Sequence, residues 1–325
     1  MMAKVRGTEA KLASLRSLAT ASVSPEMVAE LRQALSHKSN LVVEAAAGLV
    51  GDPAIRELAA DLVGAFDRLM IEPEKTDKQC RGKIAIIEAL NKLEFGDEEI
   101  FRRGLAHFQD PGWGEEKDQD AAGPLRAHCA FGLARINPKD LLLHLTDLLL
   151  DKDTRARAGA ARALGGSGSL AAIPLLRFKA RIGDGEPDVM GECFTALLAL
   201  DQANSLSFVS RFLGSTSAEV QEAAIFALAE IRTPETFGIL KDFWPRTPSG
   251  LEEITLLAMA MLRLPAAMDF LIDLVAQKHR HSRAAISALA IHRHQEKTKE
   301  RVAAAVAANG DTAIEQWFRK KFADD

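Results

Sequence analysis

The sequence predicts an all-α chain built as an array of stacked helix pairs, and three observations predict it. The first is a periodic leucine. Leu49, Leu90, Leu133, Leu164, Leu197, Leu228, Met259 and Leu289 share one aligned position, at intervals of 41, 43, 31, 33, 31, 31 and 30 residues. Such a period marks a supersecondary unit that cannot bury its apolar face alone and must stack on its neighbours. The second is composition: Tyr is absent, aromatic residues make up 6%, and Ala and Leu dominate. That favours close helix packing over a β-rich core. The third is the stretch RARAGAARALGGSGSLAAIPLL, residues 155–176. It reads as the second helix of one unit, a turn, and the first helix of the next. Ala156, Ala160, Ala163 and Leu164 form a small-residue stripe at helical spacing. Gly165, Gly166 and Gly168 are expected to end the helix, Ser169 to cap the next one, and Pro174 to bend it.

In chain order, residues 1–24 read as an N-terminal capping helix with Val5, Leu12, Leu15 and Leu18 on its apolar side. Ser24-Pro25-Glu26 then supplies a cap with proline at the first helical position. The repeat array spans 25–292. Its first long interval carries an extended helix, Pro53 to Met70, and a charged turn, Glu72 to Lys78. The second long interval carries an acidic insertion over 110–123, DPGWGEEKDQDAAG. Residues 293–325 read as C-terminal capping helices, over 295–309 and 311–322, split at Asn309-Gly310-Asp311. Trp317, Phe318 and Phe322 there offer large apolar area to close the core.

Five segments carry a family resemblance: VVEAAAGLVGDPAI (42–55), LRAHCAFGLARI (125–136), ARAGAARALGGSGSLAAIPLL (156–176), VMGECFTALLAL (189–200) and VQEAAIFALAEI (220–231). They resemble HEAT repeats of the bacterial subtype found in phycobilisome-lyase-like proteins, over roughly residues 25–292. The resemblance implies a right-handed α-solenoid of about eight HEAT-type helix pairs with terminal capping helices. First helices would line the convex side and second helices the concave side. The consensus is structural and carries no activity with it.

Charge and motifs narrow the function. With a net charge of −4 and 26% charged residues, the chain has no global pull toward nucleic acid or anionic lipid. Cys80, Cys129 and Cys193 are odd in number and widely spaced, so neither a disulfide framework nor a zinc site is expected. Cys129 and Cys193 fall in the small-residue stripe, four residues before their aligned leucines, and read as core. The first 25 residues do not read as a signal peptide, and no segment reaches the apolar length of a span; a cytoplasmic, reduced protein is expected. No H-E-x-x-H, G-x-S-x-G or Walker A motif occurs, and no His-Glu dipeptide, so likeness to HEAT-type iron hydroxylases stops at the fold. No catalytic residue, cofactor or metal is therefore expected, and the protein reads as a non-enzyme.

The remaining polar features have structural readings. Arg126 and Arg157 share one repeat position, where the HEAT consensus implies an arginine bonded to carbonyls or an Asp of its own turn. His279, His281, His292 and His294, with Lys278, Arg280, Arg283 and Arg293, read as a solvated basic patch; i, i+2 spacing on a helix would point each pair of rings apart. The insertion places Trp113 among Glu115, Glu116, Asp118 and Asp120, as a surface loop or an interaction loop, and its spacing is not that of a calcium-binding loop.

In the second helices, positions two, six and nine before the aligned leucine share one face. Along it lie Phe131, Arg155 and Arg162, then Asp188, Glu219, Glu222, Phe226, Glu253 and Leu257. Arginines flank an acidic centre that holds apolar side chains the repeat does not require. Such a face suits a protein segment with basic residues and one or two apolar anchors. The expected function is thus a protein-binding scaffold or adaptor. Two other readings remain at this point: an assisting subunit of an enzyme, by analogy with the lyase-associated relatives, and a nucleic-acid-binding or DNA-repair solenoid.

Overall fold

Helix starts are written plainly in this chain. Ser24, Asp97, Asp153, Asp201, Ser217 and Asp311 each turn a side-chain oxygen onto free N–H groups of the helix that follows. Thr233 and Thr236 complete a reciprocal capping box. The protein is described here by a computed structural model over residues 2–110 and 120–323, with side chains from residue 7 onward. Among the described residues there are twenty α-helices and no strand. No helix among them is long and apolar enough to cross a membrane. The chain divides into two compact units, Met1–Leu175 and Leu176–Asp325.

The first unit begins with α1 (Met2–Leu18), α2 (Pro25–Leu35) and α3 (Asn40–Gly51). It continues through α4 (Ala59–Leu69), the single turn α5 (Pro73–Thr76), α6 (Arg81–Lys92), α7 (Glu98–Leu105) and α8 (Gly123–Ile136). It ends with α9 (Leu141–Leu148) and α10 (Thr154–Gly166). The second helices α3, α6, α8 and α10 pack one on the next, and α2, α4, α7 and α9 each lie against their own partner. Leu90, Leu133 and Leu164 are fully buried along that seam, as are Cys129, Ala156 and Ala160. Gly159 lets two helices touch: a Cβ there would sit 2.8 Å from the Ala127 Cα of α8.

The division falls inside α11 (Ile173–Ile182). The second unit then runs through α12 (Pro187–Leu200), α13 (Gln202–Ser210), α14 (Ala218–Ile231) and α15 (Pro234–Phe243). After these come α16 (Glu252–Met261), α17 (Pro265–Ala276), α18 (Ser282–Leu289), α19 (Glu296–Asn309) and α20 (Thr312–Lys321). Here α12, α14, α16, α18 and α20 pack in succession. Leu197, Leu228, Met259 and Leu289 are all fully buried. Gly310, at φ 71°, ends α19 in the left-handed conformation, and Asp311 starts α20 through the Ala313 N–H at 2.8 Å. Phe322 is buried, and Trp317 packs half-buried with its indole N–H donating to the Arg283 carbonyl and Ser287 Oγ, both at 3.1 Å.

Four local expectations change. In the first repeat the buried residue is Val50, while Leu49 is half-exposed, so the register there is one residue later. The extended helix over 53–70 starts only at Ala59, because Ala54 takes a positive φ of 55° and a short 3-10 turn, Arg56–Leu58, intervenes. Pro174 does not bend α11. It is the second residue of that helix, where its missing N–H has no partner to lose. Ser169 makes no side-chain cap; a 3-10 turn, Leu170–Ala172, separates it from α11.

Candidate protein-binding faces

Each unit presents one face of its second helices, and the two faces differ. In the first unit, Phe131 is half-buried on α8, and Arg162 of α10 lies over its ring at 5.9 Å. His128 meets the same ring edge-on at 5.7 Å, and its Nε2 lies 3.0 Å from Glu88 Oε1 of α6. Burial holds the His128 pKa below the ordinary value, against the pull of Glu88. A carboxylate, an imidazole, an aromatic ring and a guanidinium therefore cross three neighbouring helices. Arg155 is exposed but engaged: it pairs with Asp153 at 2.7 Å, the residue that caps α10.

In the second unit, Phe226 on α14 and Leu257 on α16 are both half-buried. Asp188, Glu219 and Glu253 are exposed, and Glu222 is half-buried. Three of these carboxylates sit in the first turn of their helices, Asp188 in α12, Glu219 in α14 and Glu253 in α16. There the helix macrodipole stabilises negative charge without any partner. Glu219 also accepts from Ser217 Oγ at 2.7 Å, and that bond lowers its pKa. Glu222, a turn further in, has no such local reason. Trp113, with Glu115, Glu116 and Asp118, lies outside the described residues.

The arginine pair and the histidines resolve differently. Arg126 is almost wholly buried, donates to both Asp151 oxygens at 2.8 Å and to the His107 carbonyl at 2.9 Å, and contacts Asp120. Burial opposes its charge, yet the Asp151 and Asp120 bonds hold its pKa above the ordinary value. Arg157 donates to the carbonyls of Asp151 and Lys152 in its own turn. Asp151 thus ties Arg126 to the turn of the next pair. The spacing argument for His279 and His281 fails because they are not on a helix. Lys278 takes a positive φ of 56°, and the turn it makes brings the two rings to 5.4 Å, stacked, beside Trp244. His292 is buried and bonded to the Ala260 carbonyl at 2.9 Å, so it leaves the solvated patch; His294 is exposed.

Reading the residues alone missed a buried network in the first unit. Asp77 and Lys83 are fully buried, 3.4 Å apart. Lys83 Nζ also donates to Gln109 Oε1 at 2.8 Å and the Leu69 carbonyl at 3.3 Å. Asp77 accepts from the N–H groups of Gly82 and Lys83 and from Asn40. Gln109 donates to the Asp77 carbonyl at 2.7 Å and anchors the base of the insertion through Asp120 at 3.0 Å and Ala121 at 2.8 Å. The signal available was the place of Lys83, seven residues before its aligned leucine, which is the repeat position of Arg126 and Arg157. All three cysteines are free and buried, and burial pushes the Cys80 and Cys193 thiols up to about 12. Among the described residues no group of His, Cys, Asp and Glu side chains is arranged to hold a metal ion.

Comparison with a family model agrees with this architecture over part of the chain. Residues 111–189 match the model for HEAT repeats. Among solved structures, the complex of CpcE and CpcF of phycocyanin lyase from Nostoc is similar at 17% identity. That match covers 89% of this chain and 95% of that chain, with a TM-score of 0.36. An engineered protein is similar at 18% identity over 97% of this chain and 95% of that one, with a TM-score of 0.37. No curated protein matches the chain. Over residues 111–189 the chain carries HEAT repeats, and the described residues as a whole form stacked α-helix pairs.

Proposed function

We propose that this repeat array is a non-catalytic scaffold whose second-helix faces hold a segment of another protein. The observation that carries the reading is the pair Phe226 and Leu257. Each stays half-exposed on adjacent helices, at positions the core does not use, with carboxylates around it. An apolar anchor in a charged ring is how a peptide groove combines affinity with orientation. The charge selects a segment with basic residues, because Asp188, Glu219, Glu222 and Glu253 line that face. In the first unit, Phe131 under Arg162, with Arg155 two turns earlier on α10, forms a second and differently charged contact face. Trp113 in the acidic insertion belongs to the same proposal as a further point of contact. We place the protein in the cytoplasm on the same reading.

The test is an affinity capture from the native host with the wild type and with Glu222→Arg/Phe226→Ala. A protein captured at defined stoichiometry by the wild type, and lost or weakened at least about tenfold by the double variant, supports the face. Capture that survives the double variant moves the site to Trp113 or to the Trp244–His281 turn. Recovery of nucleic acid in place of protein sinks the scaffold reading.

A further inference from the structure

The four turns that join first to second helices between α11 and α18 carry one arginine each. Arg181 stands at the end of α11, Arg211 after α13, Arg246 after α15 and Arg280 before α18, at intervals of 30, 35 and 34 residues. All four are exposed, and among the described residues none pairs with a carboxylate. Arg280 donates only to the neighbouring His281 ring, at 2.8 Å. This edge is distinct from the face that holds Phe226 and Leu257.

Three grooves run along it, and the first two share Arg211. One of about 410 Å³ is lined by Arg181 and Arg211, with Phe208, Phe212, Ser215 and Thr216. The next, about 540 Å³, shares Arg211 and adds Arg246, with Ser210, Ile239 and Asp242 among its walls. The third, about 320 Å³, lies beside Arg246 and is lined by Trp244, Thr247, Glu252, His279, Arg280 and His281. Each groove joins a guanidinium to a hydroxyl or imidazole donor and an apolar or aromatic wall.

We infer that this edge binds an extended acidic peptide segment with a carboxylate at about every third residue. Packed helix layers stand roughly 8–10 Å apart, so the arginines of successive turns recur at about that distance. An extended peptide rises about 3.3 Å per residue, so every third side chain returns to the same side after about 10 Å. A guanidinium fork matches a carboxylate with two parallel hydrogen bonds, which fixes register as well as charge. Asp242 and Glu252 stand between the arginines and repel a ligand charged at every unit. They disfavour a phosphodiester strand and leave room for a chain whose charges are spaced.

The probe is a labelled synthetic peptide of about twelve residues with glutamate at every third position and Ser, Ala or Leu between. Its partner has the same composition with the glutamates in one block. Fluorescence anisotropy at low salt is expected to show the spaced peptide binding about tenfold tighter than the blocked one. Arg211→Glu/Arg246→Glu is expected to weaken the spaced peptide by at least about tenfold, and Arg211→Gln/Arg246→Gln less. Unchanged thermal melting of the Gln variant shows that the fold is intact. Equal binding of the two peptides, or no loss in either arginine variant, overturns the inference. So does single-stranded oligothymidylate that displaces the peptide and binds the edge more tightly.

Discussion

The long repeats of the first unit and the regular repeats of the second solve the same packing problem with different interiors. Between Pro53 and Arg126 the first unit departs from the 31-residue period, and its interior there holds charge: Asp77, Lys83 and Arg126, with Gln109 also buried. The second unit keeps the period. Its buried polar groups are mostly short neutral ones at helix ends, such as Ser205, Thr236, Thr255 and Ser282, with Lys179 and Asp184 paired at its first turn. An irregular connection leaves backbone carbonyls and N–H groups that no helix satisfies, and burying them unpaired is costly. The Asp77–Lys83–Gln109 network supplies those partners. The regular turns of the second unit need less: single buried side chains serve there, Gln221 on the Leu213 carbonyl, Ser282 on the Leu274 carbonyl and Asn309 on the Val275 carbonyl, while Arg181, Arg211, Arg246 and Arg280 stay outside.

If the network holds the first unit together, breaking it is the most damaging change available. Asp77→Ala strands the buried Lys83 ammonium and three N–H donors. The expected loss is about 3–5 kcal/mol in urea denaturation followed by circular dichroism. A loss below about 1 kcal/mol would show that the irregular stretch is held by apolar packing alone. The seams differ in the same sense. Gly159→Val pushes a side chain into Ala127 and is expected to cost about 1–3 kcal/mol. Gly191→Ala in the second unit meets the Ala223 Cβ at an ordinary 3.7 Å, and should stabilise by up to about 1 kcal/mol through helix propensity. Opposite signs at these two glycines, read in one melting series, would confirm that the first seam is the tighter.

Legibility follows the same line. The aligned position was readable wherever the period held: Leu133, Leu164, Leu197, Leu228, Met259 and Leu289 are all fully buried. It slipped to Val50 in the first repeat, beside the irregular stretch, where Leu49 and Val50 are equally apolar and only packing decides between them. Caps at Ser24 and Asp311 were local signals, set by one side chain and the next three residues. The Asp77–Lys83–Gln109 network was not legible as a network, because Gln109 lies 26 residues from Lys83 and 32 from Asp77 and meets them only through tertiary folding. The His279–His281 pair was misread because a positive φ at Lys278 removed the helix the spacing argument assumed. On the candidate faces, residue identity told the charge and the apolar anchors, but not that first-turn positions give Asp188, Glu219 and Glu253 a reason of their own.

A smaller effect tests the regular turns. Thr233 and Thr236 cap each other's ends at the start of α15, with the Thr236 N–H donating to Thr233 Oγ1 at 3.3 Å and the Thr233 N–H to Thr236 Oγ1 at 3.1 Å. Thr233→Ala removes one side of that exchange and is expected to cost about 1 kcal/mol. Thr233→Ser should restore most of it, since the hydroxyl is what caps. Equal losses in both variants would assign the effect to the threonine methyl and its packing.

The smallest effect is in acid, and it separates two groups of the first unit. Arg102 of α7 holds Asp140 at the head of α9 through two bonds, 2.7 and 3.0 Å, and lowers the Asp140 pKa to about 2. The carboxylate is more easily ionised folded than unfolded, so its contribution is present above about pH 4 and fades as pH falls toward about 2. His107 is also depressed, by burial first, and its bond to Gln109 Oε1 at 3.2 Å only partly offsets that. There the unfolded chain takes up protons first, so stability is lost as pH falls below about 6.5, before Asp140 titrates. Urea midpoints against pH should therefore show two descending steps. Asp140→Asn should shrink the lower step, which Asp153, Asp201 and Glu219 also feed through their own lowered pKa values, and leave the upper one, which His107 shares with His128. If the variant flattens both, the Arg102 pair and the His107–Gln109 contact belong to one cooperative element, and the contrast between irregular stretch and regular turn does not extend to the start of α9.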